Sequence, residues 1–221
     1  MNILLLDCSS KTAGYGFARD GELILERALP GSRNADTLMY EMRKDFSESG
    51  LTFKDIEVVS LSNGPGSFTG LRIGSAIAKG ICLALGAKFI EVVTLDIIAK
   101  KHRSASEYAA VVYSGMVSAE FYYALYRNDD KLVRASGYNS DTIGAIIDQT
   151  KDIVINEKID FRQNFKEVGY NVNNIDVSGT SGLREHLELT LERIDSNSYS
   201  DIGSSEPFYM KEFKPLIKEK S

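Results

Sequence analysis

Apolar and polar positions alternate along this chain with two different periods, and the changes of period mark its elements. Residues 2–6, "NILLL", form an apolar run of strand length, and "AGYGFA" (13–18) carries the small/aromatic alternation of a second strand. Asp20-Gly21 then predicts a two-residue hairpin, because a type I′ turn requires positive φ at both central positions, and "ELILERA" follows as a third strand. In "ADTLMYEMRKDF" (35–46), Leu38, Met39, Met42 and Phe46 recur with helical spacing, and Asn34 or Asp36 can cap the start. "IEVVSLS" (56–62) and "FIEVVT" (89–94) read as strands, with a glycine-rich loop and a helix between them.

The polar run "KKHRSASE" near residue 100 breaks this order and marks a lobe boundary. Beyond it, "AAVVYSG", "AEFYYALY", a polar turn at Asn128-Asp129-Asp130 and "KLVRASGY" repeat the opening sequence of strand, strand, turn and strand. A helix candidate at "DTIGAIIDQT", a strand "DIVIN" and a helix over 181–194, with Leu183, Leu187 and Leu191 on one face, complete the second half. The repeat is one of pattern rather than of residues. It predicts a duplicated α/β architecture with mixed sheets flanked by helices. Two lobes are expected, residues 1–103 and 104–221, with a C-terminal segment of the second packing back on the first.

Composition narrows the classes. With 43% hydrophobic and 26% charged residues, the chain of 221 residues can bury a core. A net charge of −5 withholds the positive field that autonomous nucleic-acid binding needs. Lys211, Lys214, Lys218 and Lys220 alternate with Glu212 and Glu219 and read as a solvated tail. Cys8 and Cys82 suggest neither a disulfide framework nor metal ligands. No apolar run is read as reaching the roughly 18 residues of a membrane span, and the start lacks a signal-peptide pattern, so a cytoplasmic chain without a membrane partner is expected.

The most informative stretch is "SNGPGSFTGLRIGSAIAKG", residues 62–80. Gly64, Gly66 and Gly70 can line up backbone N–H groups before a helix, which is one way to hold phosphate. The spacing is neither G-x-x-x-x-G-K-[ST] nor G-x-G-x-x-G, and a tight turn fixed by Pro65 accounts for the same residues. From Leu71 to Leu85 the charged residues are Arg72 and Lys79, and small residues recur at Gly70, Gly74 and Ala78 and at Ala76, Gly80 and Ala84. Such a helix is either buried within the monomer on all sides or packs one side on its own sheet and offers the other to a partner.

These segments, "ILLLDCSSKTAGYGFARDGEL", "SNGPGSFTGLRIGSAIAKGICLALG" and the late "EPFYMK" (206–211), resemble the bacterial TsaB (YeaZ) family, relatives of the catalytic subunit TsaD. The resemblance implies an actin-like/Hsp70-like ATPase (ASKHA) fold. It implies the role of an accessory subunit in threonylcarbamoylation of adenosine 37 of tRNA, with chemistry, ATP and a metal ion on the TsaD-type paralogue and none on this chain. The implied partners are that paralogue and the TsaE-type ATPase, with tRNA met only through the complex. The corresponding interface would comprise Leu38, Met42, Leu71, Arg72, Gly74, Ser75, Ala76, Ala78 and Lys79. Where many relatives carry a histidine before the first helix, this chain has Asn34; where many carry Asp-Ala-Arg, it has Gly115-Met116-Val117.

Other chemistries are weaker. In an ATP-using member of the fold, Asp7 would order Mg²⁺ through water with Ser9, Ser10 and Lys11 near the phosphates; here a strand-end aspartate capping its own turn is the simpler reading, leaving at most a vestigial nucleotide site. A metallopeptidase needs clustered ligands, whereas His102 lies in a polar linker and His186 on a charged helix, both read as surface residues. Ser67 in "GPGSFTG" lacks the G-x-S-x-G elbow and a histidine to activate it. No catalytic or metal-binding residue is therefore expected, and a homodimer through the same helices is a further expectation.

Overall fold

Strand β1 (Asn2–Asp7) is apolar on both faces, and the architecture follows from covering both. The computed structural model describes residues 1–10, 12–30, 34–101, 107–113, 120–128, 132–142, 145–146, 148–149, 153–155, 175–177 and 182–210. β1 pairs antiparallel with β2 (Thr12–Arg19), which turns into β3 (Glu22–Pro30), and parallel with β4 (Val58–Ser62), which pairs parallel with β5 (Lys88–Val92). The sheet order is β3-β2-β1-β4-β5. Asp20 (φ 52°) and Gly21 (φ 84°) both take positive φ, as the predicted turn requires.

Leu4 and Leu6 face helices α1 (Asn34–Glu48) and α2 (Phe68–Leu85), in a core with Tyr15, Phe17, Leu38, Met42, Phe46 and Ala78. Ile3 and Leu5 face the other way, in a core with Ile90, Ile97, Leu183 and Leu187. The helix that supplies Leu183 and Leu187, α4 (Leu183–Asp195), thus lies on the first sheet although it follows the second lobe in sequence. Its leucine stripe needs an apolar surface, and the alternate residues of β1 and its neighbours provide it.

The second sheet comprises, among the described residues, β6 (Glu107–Tyr113), β7 (Glu120–Asn128), β8 (Leu132–Arg134), β9 (Asn139–Thr142), β10 (Ile153–Ile155) and β11 (Ile175–Val177). Its order, β11-β10-β6-β7-β8, repeats the first sheet: a central strand antiparallel to its hairpin partner and parallel to the later strand. This is the duplicated α/β plan, two mixed sheets of like strand order, expected from the pattern. Strand β9, which also pairs with β7, takes up the first two residues (141–142) of the stretch the sequence assigned to a helix, while residues 145–146 are helical.

Helix α3 (Thr94–Lys101) joins the two halves and was hidden in sequence by the polar run that follows it. Ile97 belongs to the core on the first sheet, while Leu95, Ile98 and Ala99 pack with Ala124, Tyr126 and Val154 of the second. Asp96 accepts hydrogen bonds from the hydroxyls of Tyr126 (2.6 Å) and Tyr138 (3.0 Å). Lys100 reaches Glu188 (3.5 Å) and Glu192 on α4.

His186 is not on the surface: it is 1% exposed beneath α4. The Thr190 hydroxyl donates to the His186 carbonyl (2.7 Å), so Ser60 Oγ must donate to Thr190 Oγ1 (2.8 Å) and accept from His186 Nε2 (2.9 Å). That chain of donors fixes the Nε2–H tautomer and leaves Nδ1 without a hydrogen-bond partner among the described residues. Burial lowers the His186 pKa from 6.5 to about 3. Above pH 6.5 the ring is neutral whether folded or unfolded; below it, the unfolded chain takes up a proton the folded chain refuses. Stability is therefore lost as pH falls from about 6.5, by up to about 1.4 kcal/mol per pH unit. Urea unfolding at pH 6.5 and 5 should show a smaller difference for His186→Gln than for the wild type, whatever the variant's stability at pH 7.

Candidate functional site

The parallel strands β1 and β4 end side by side, and the loops leaving them meet in a backbone-to-backbone contact. A Cβ on Gly66 would stand 2.2 Å from the Ser9 carbonyl oxygen, and one on Gly70 would stand 2.1 Å from that of Cys8. The Ser67 N–H donates to the Ser9 carbonyl (2.7 Å), and the Ser67 side chain accepts from Gly70 N (3.3 Å), capping α2. The glycines thus bring the backbone of Cys8 and Ser9 against the start of the helix. At its far end α2 stops at Gly86, in the left-handed region at φ 69°.

Asp7 turns back on its own loop. Its carboxylate accepts from Ser9 N (2.9 Å) and Ser9 Oγ (2.7 Å). Burial pushes its pKa up, against the opposing hydrogen bonds from Ser9 and Ser62. Ser10 Oγ bonds to the backbone of Thr12 at 2.9 and 3.2 Å. Asp7, Ser9 and Ser10 are thus brought together but engaged locally, and Lys11 lies outside the described residues. Burial raises the Cys8 thiol to about 12, which keeps it an unreactive core residue.

Helix α2 has two sides. Gly70, Leu71, Gly74, Ser75, Ala78, Ile81 and Cys82 are buried on the sheet. Arg72, Ala76, Gly80, Leu83 and Ala84 are exposed, Leu83 at 73%, with Ile73, Ile77 and Lys79 half-buried beside them. By length and composition alone this helix could cross a membrane, contrary to the sequence reading, yet here one side of it packs on the sheet.

The residues expected at an interface divide accordingly. Leu38 and Met42, like Leu71, Gly74, Ser75 and Ala78, are buried in this chain's own core and present no surface. Helical periodicity marked them as apolar but could not say which side the sheet takes. Arg72, Ala76 and Lys79 do reach the surface, Lys79 with its ammonium on the Ser205 carbonyl. On α1 the outward apolar residue is Tyr40, 69% exposed, which the sequence reading passed over.

Residues 199–210 run along the first lobe, where the sequence reading expected a C-terminal segment without assigning its residues to this surface. Ser200 N–H donates to the Phe89 carbonyl (2.8 Å), and Asn63 exchanges bonds with Phe208 (2.8 Å) and Glu206 (3.0 Å). Tyr209 then packs on Phe68 at the start of α2, ring centroids 5.2 Å apart, with Arg72 against both. The aromatic pair within "EPFYMK" was the available signal.

Among the described residues Ser67 has no histidine beside it: His186 is packed on the opposite face of the sheet; His102 lies outside the described residues, as do Gly115–Val117. Among the described residues, no group of three His, Cys, Asp or Glu side chains is arranged to hold a metal ion.

A family model described as TsaD, tRNA N6-adenosine threonylcarbamoyltransferase, matches residues 32–198. The tRNA threonylcarbamoyladenosine biosynthesis protein TsaB of Escherichia coli is 29% identical over 133 residues, covering 59% of this chain and 57% of that protein. The protein of the same name from Buchnera aphidicola is 29% identical over 111 residues, 50% of each chain. The chain thus spans little more than half the length of these relatives. A Pseudomonas aeruginosa structure, described as similar to the peptidase YeaZ, superposes with a TM-score of 0.78 over 95% of this chain and 99% of that one, at 19% identity, and so shares the fold. With this fold, these relatives and a family match over more than half its length, the chain belongs to the TsaD family and, within it, to the TsaB/YeaZ branch.

Proposed function

We propose that this protein is a non-catalytic partner subunit in the threonylcarbamoylation of tRNA adenosine, and that it binds a TsaD-type catalytic paralogue through the outward side of α2 and the adjoining surface of α1. The observation that carries this reading is the exposed row Ala76, Gly80, Leu83 and Ala84, flanked by Ile73 and Ile77: a surface helix that needed only water would be polar there. The small residues allow another backbone to approach closely, and Leu83 and Tyr40 supply apolar area. On this reading ATP and the metal ion belong to the paralogue, a TsaE-type ATPase joins the assembly, tRNA is met through the complex, and the chain works in the cytoplasm.

A second reading, nucleotide binding at the strand ends, is supported less well. Asp7 is the carboxylate at the end of β1, and its Oδ1 accepts from both the amide and the hydroxyl of Ser9. The equivalent central strand β6 ends at Tyr113, so among the described residues no carboxylate closes that strand as Asp7 closes β1. The residues present fit a magnesium nucleotide poorly, because such an ion takes carboxylate or water oxygens together with phosphates.

Light scattering on a sizing column should show a one-to-one species when this chain is mixed with the TsaD-type protein of the same organism. Ala76→Glu should abolish that species and leave the melting temperature within a few degrees of the wild type. Ala78→Glu should instead cost about 3 kcal/mol or more of stability, since it puts an unpaired charge into the core. A wild-type chain that stays apart from the paralogue, with or without nucleotide, would sink the proposal; a stable dimer of this chain alone, dissolved by Ala76→Glu, would transfer the surface to self-association.

Addition of Mg-ATP to the isolated chain should leave its melting temperature unchanged. A ligand at 100 times its Kd stabilises by about 2.7 kcal/mol, which for a chain of this size means a rise of roughly 5–10 °C. A rise of that order would favour the nucleotide reading.

A further inference from the structure

Arg72 differs from every other outward residue of α2: it is fully charged, and it is held in place. Its guanidinium carbon lies 3.9 Å from the centroid of the Phe68 ring, one helical turn earlier, and 5.9 Å from that of Tyr209. The two rings touch at 5.2 Å, and Arg72 Nε donates to the Tyr209 hydroxyl (3.1 Å). One of five guanidinium donors is therefore taken by a neutral oxygen, and the others sit on the two terminal nitrogens. Among the described residues no carboxylate pairs with Arg72, and α2 contains no acidic residue from Phe68 to Leu85. Lys79, the other cation of the helix, is turned to the Ser205 carbonyl.

A stacked guanidinium whose two terminal nitrogens are unclaimed among the described residues is built to donate two parallel hydrogen bonds to one oxyanion, and its fixed plane reduces the entropy lost on binding. The surroundings decide between a carboxylate and a phosphate. Arg72 stands at the end of an apolar row, Ala76, Gly80 and Leu83, on a chain of net charge −5. A nucleic-acid surface would gather further cations around it, whereas an apolar centre edged by an arginine and aromatic rings is the composition of a protein interface. Resting on the reading of α2 as a partner surface, we infer that Arg72 anchors an Asp or Glu carboxylate of the partner protein, and that Tyr209, from the C-terminal segment, is the positioning residue that presets its plane.

The test is isothermal titration of this chain with the TsaD-type protein of the same organism. Arg72→Gln is expected to weaken the complex about ten- to a hundred-fold, and Arg72→Lys to recover only part of that, since a point charge cannot make the paired bonds. Tyr209→Phe keeps the ring and loses the hydroxyl; it should weaken binding about three- to ten-fold with an unchanged melting temperature, which a merely structural tyrosine would not do. Arg72→Gln binding within twofold of wild type, while Ala76→Glu abolishes binding, would overturn the anchor and leave the partner surface standing. Absence of any wild-type complex would overturn both. An Arg72→Gln variant that assembles normally but holds tRNA more weakly within the complex would show that the anion is a phosphate and overturn the assignment.

Discussion

The structure hinges on the approach of one backbone to another where β1 and β4 end. Gly66 and Gly70 lie so close to the carbonyls of Ser9 and Cys8 that a methyl group at either position would overlap an oxygen. This contact fixes where α2 begins and how it is rotated. Once Gly70 is pressed against Cys8, helical geometry places Gly74 and Ala78 on the sheet and Ala76 and Gly80 outside. The same contact sets the backbone of Ser9 and Cys8 against the glycines that open α2. One packing decision therefore both determines what lies at the start of the helix and turns Ala76 and Gly80 outward, where the proposed partner would meet them.

The duplicated halves are joined by an element that serves both. Helix α3 sends Ile97 into the core of the first sheet and Leu95 and Ile98 into the second, while Asp96 holds Tyr126 and Tyr138 by their hydroxyls. The C-terminal segment reinforces this join. Phe208 packs on Tyr138 with ring centroids 5.2 Å apart, and its neighbour Tyr209 packs on Phe68 and Arg72. In an extended segment successive side chains point to opposite sides, so two adjacent residues touch the second lobe and the surface of α2. The outward face of α2 is in this sense a product of the whole chain, completed by residues more than a hundred positions away.

Much of this was legible in the sequence because it rests on local rules. The Asp20-Gly21 turn, the all-apolar β1 and the repeated order of strands are each set by residues adjacent in sequence, and the fold class follows from them. What was not legible depends on which side of an element faces inward. Leu38 and Met42 had the right spacing for a helix face but belong to the core, and His186, placed among charged neighbours, is buried against Ser60. A period of 3.6 identifies a stripe; it cannot say whether a sheet or a partner covers it. Tyr209 was invisible as part of the surface for a different reason, since only the return of the chain across the first lobe brings it to Arg72.

The exposed side of α2 also bears on why the helix is so apolar. Leu83 at 73% exposure and Tyr40 at 69% gain little from folding the monomer. Polar residues at positions 76, 80, 83 and 84 would leave the buried side untouched and make the free chain more soluble. Retaining alanine, glycine and leucine there is intelligible if the outward side is covered in the working state, where small residues permit close approach and leucine supplies area. The position of the charge completes the logic. An arginine at the centre of such a face would have to be desolvated whole, at high cost. At the end of the row, stacked on Phe68 and hydrogen-bonded to the Tyr209 hydroxyl, Arg72 would keep its hydration until the proposed carboxylate replaced it, and so add selectivity for one partner without opposing the apolar contact beside it.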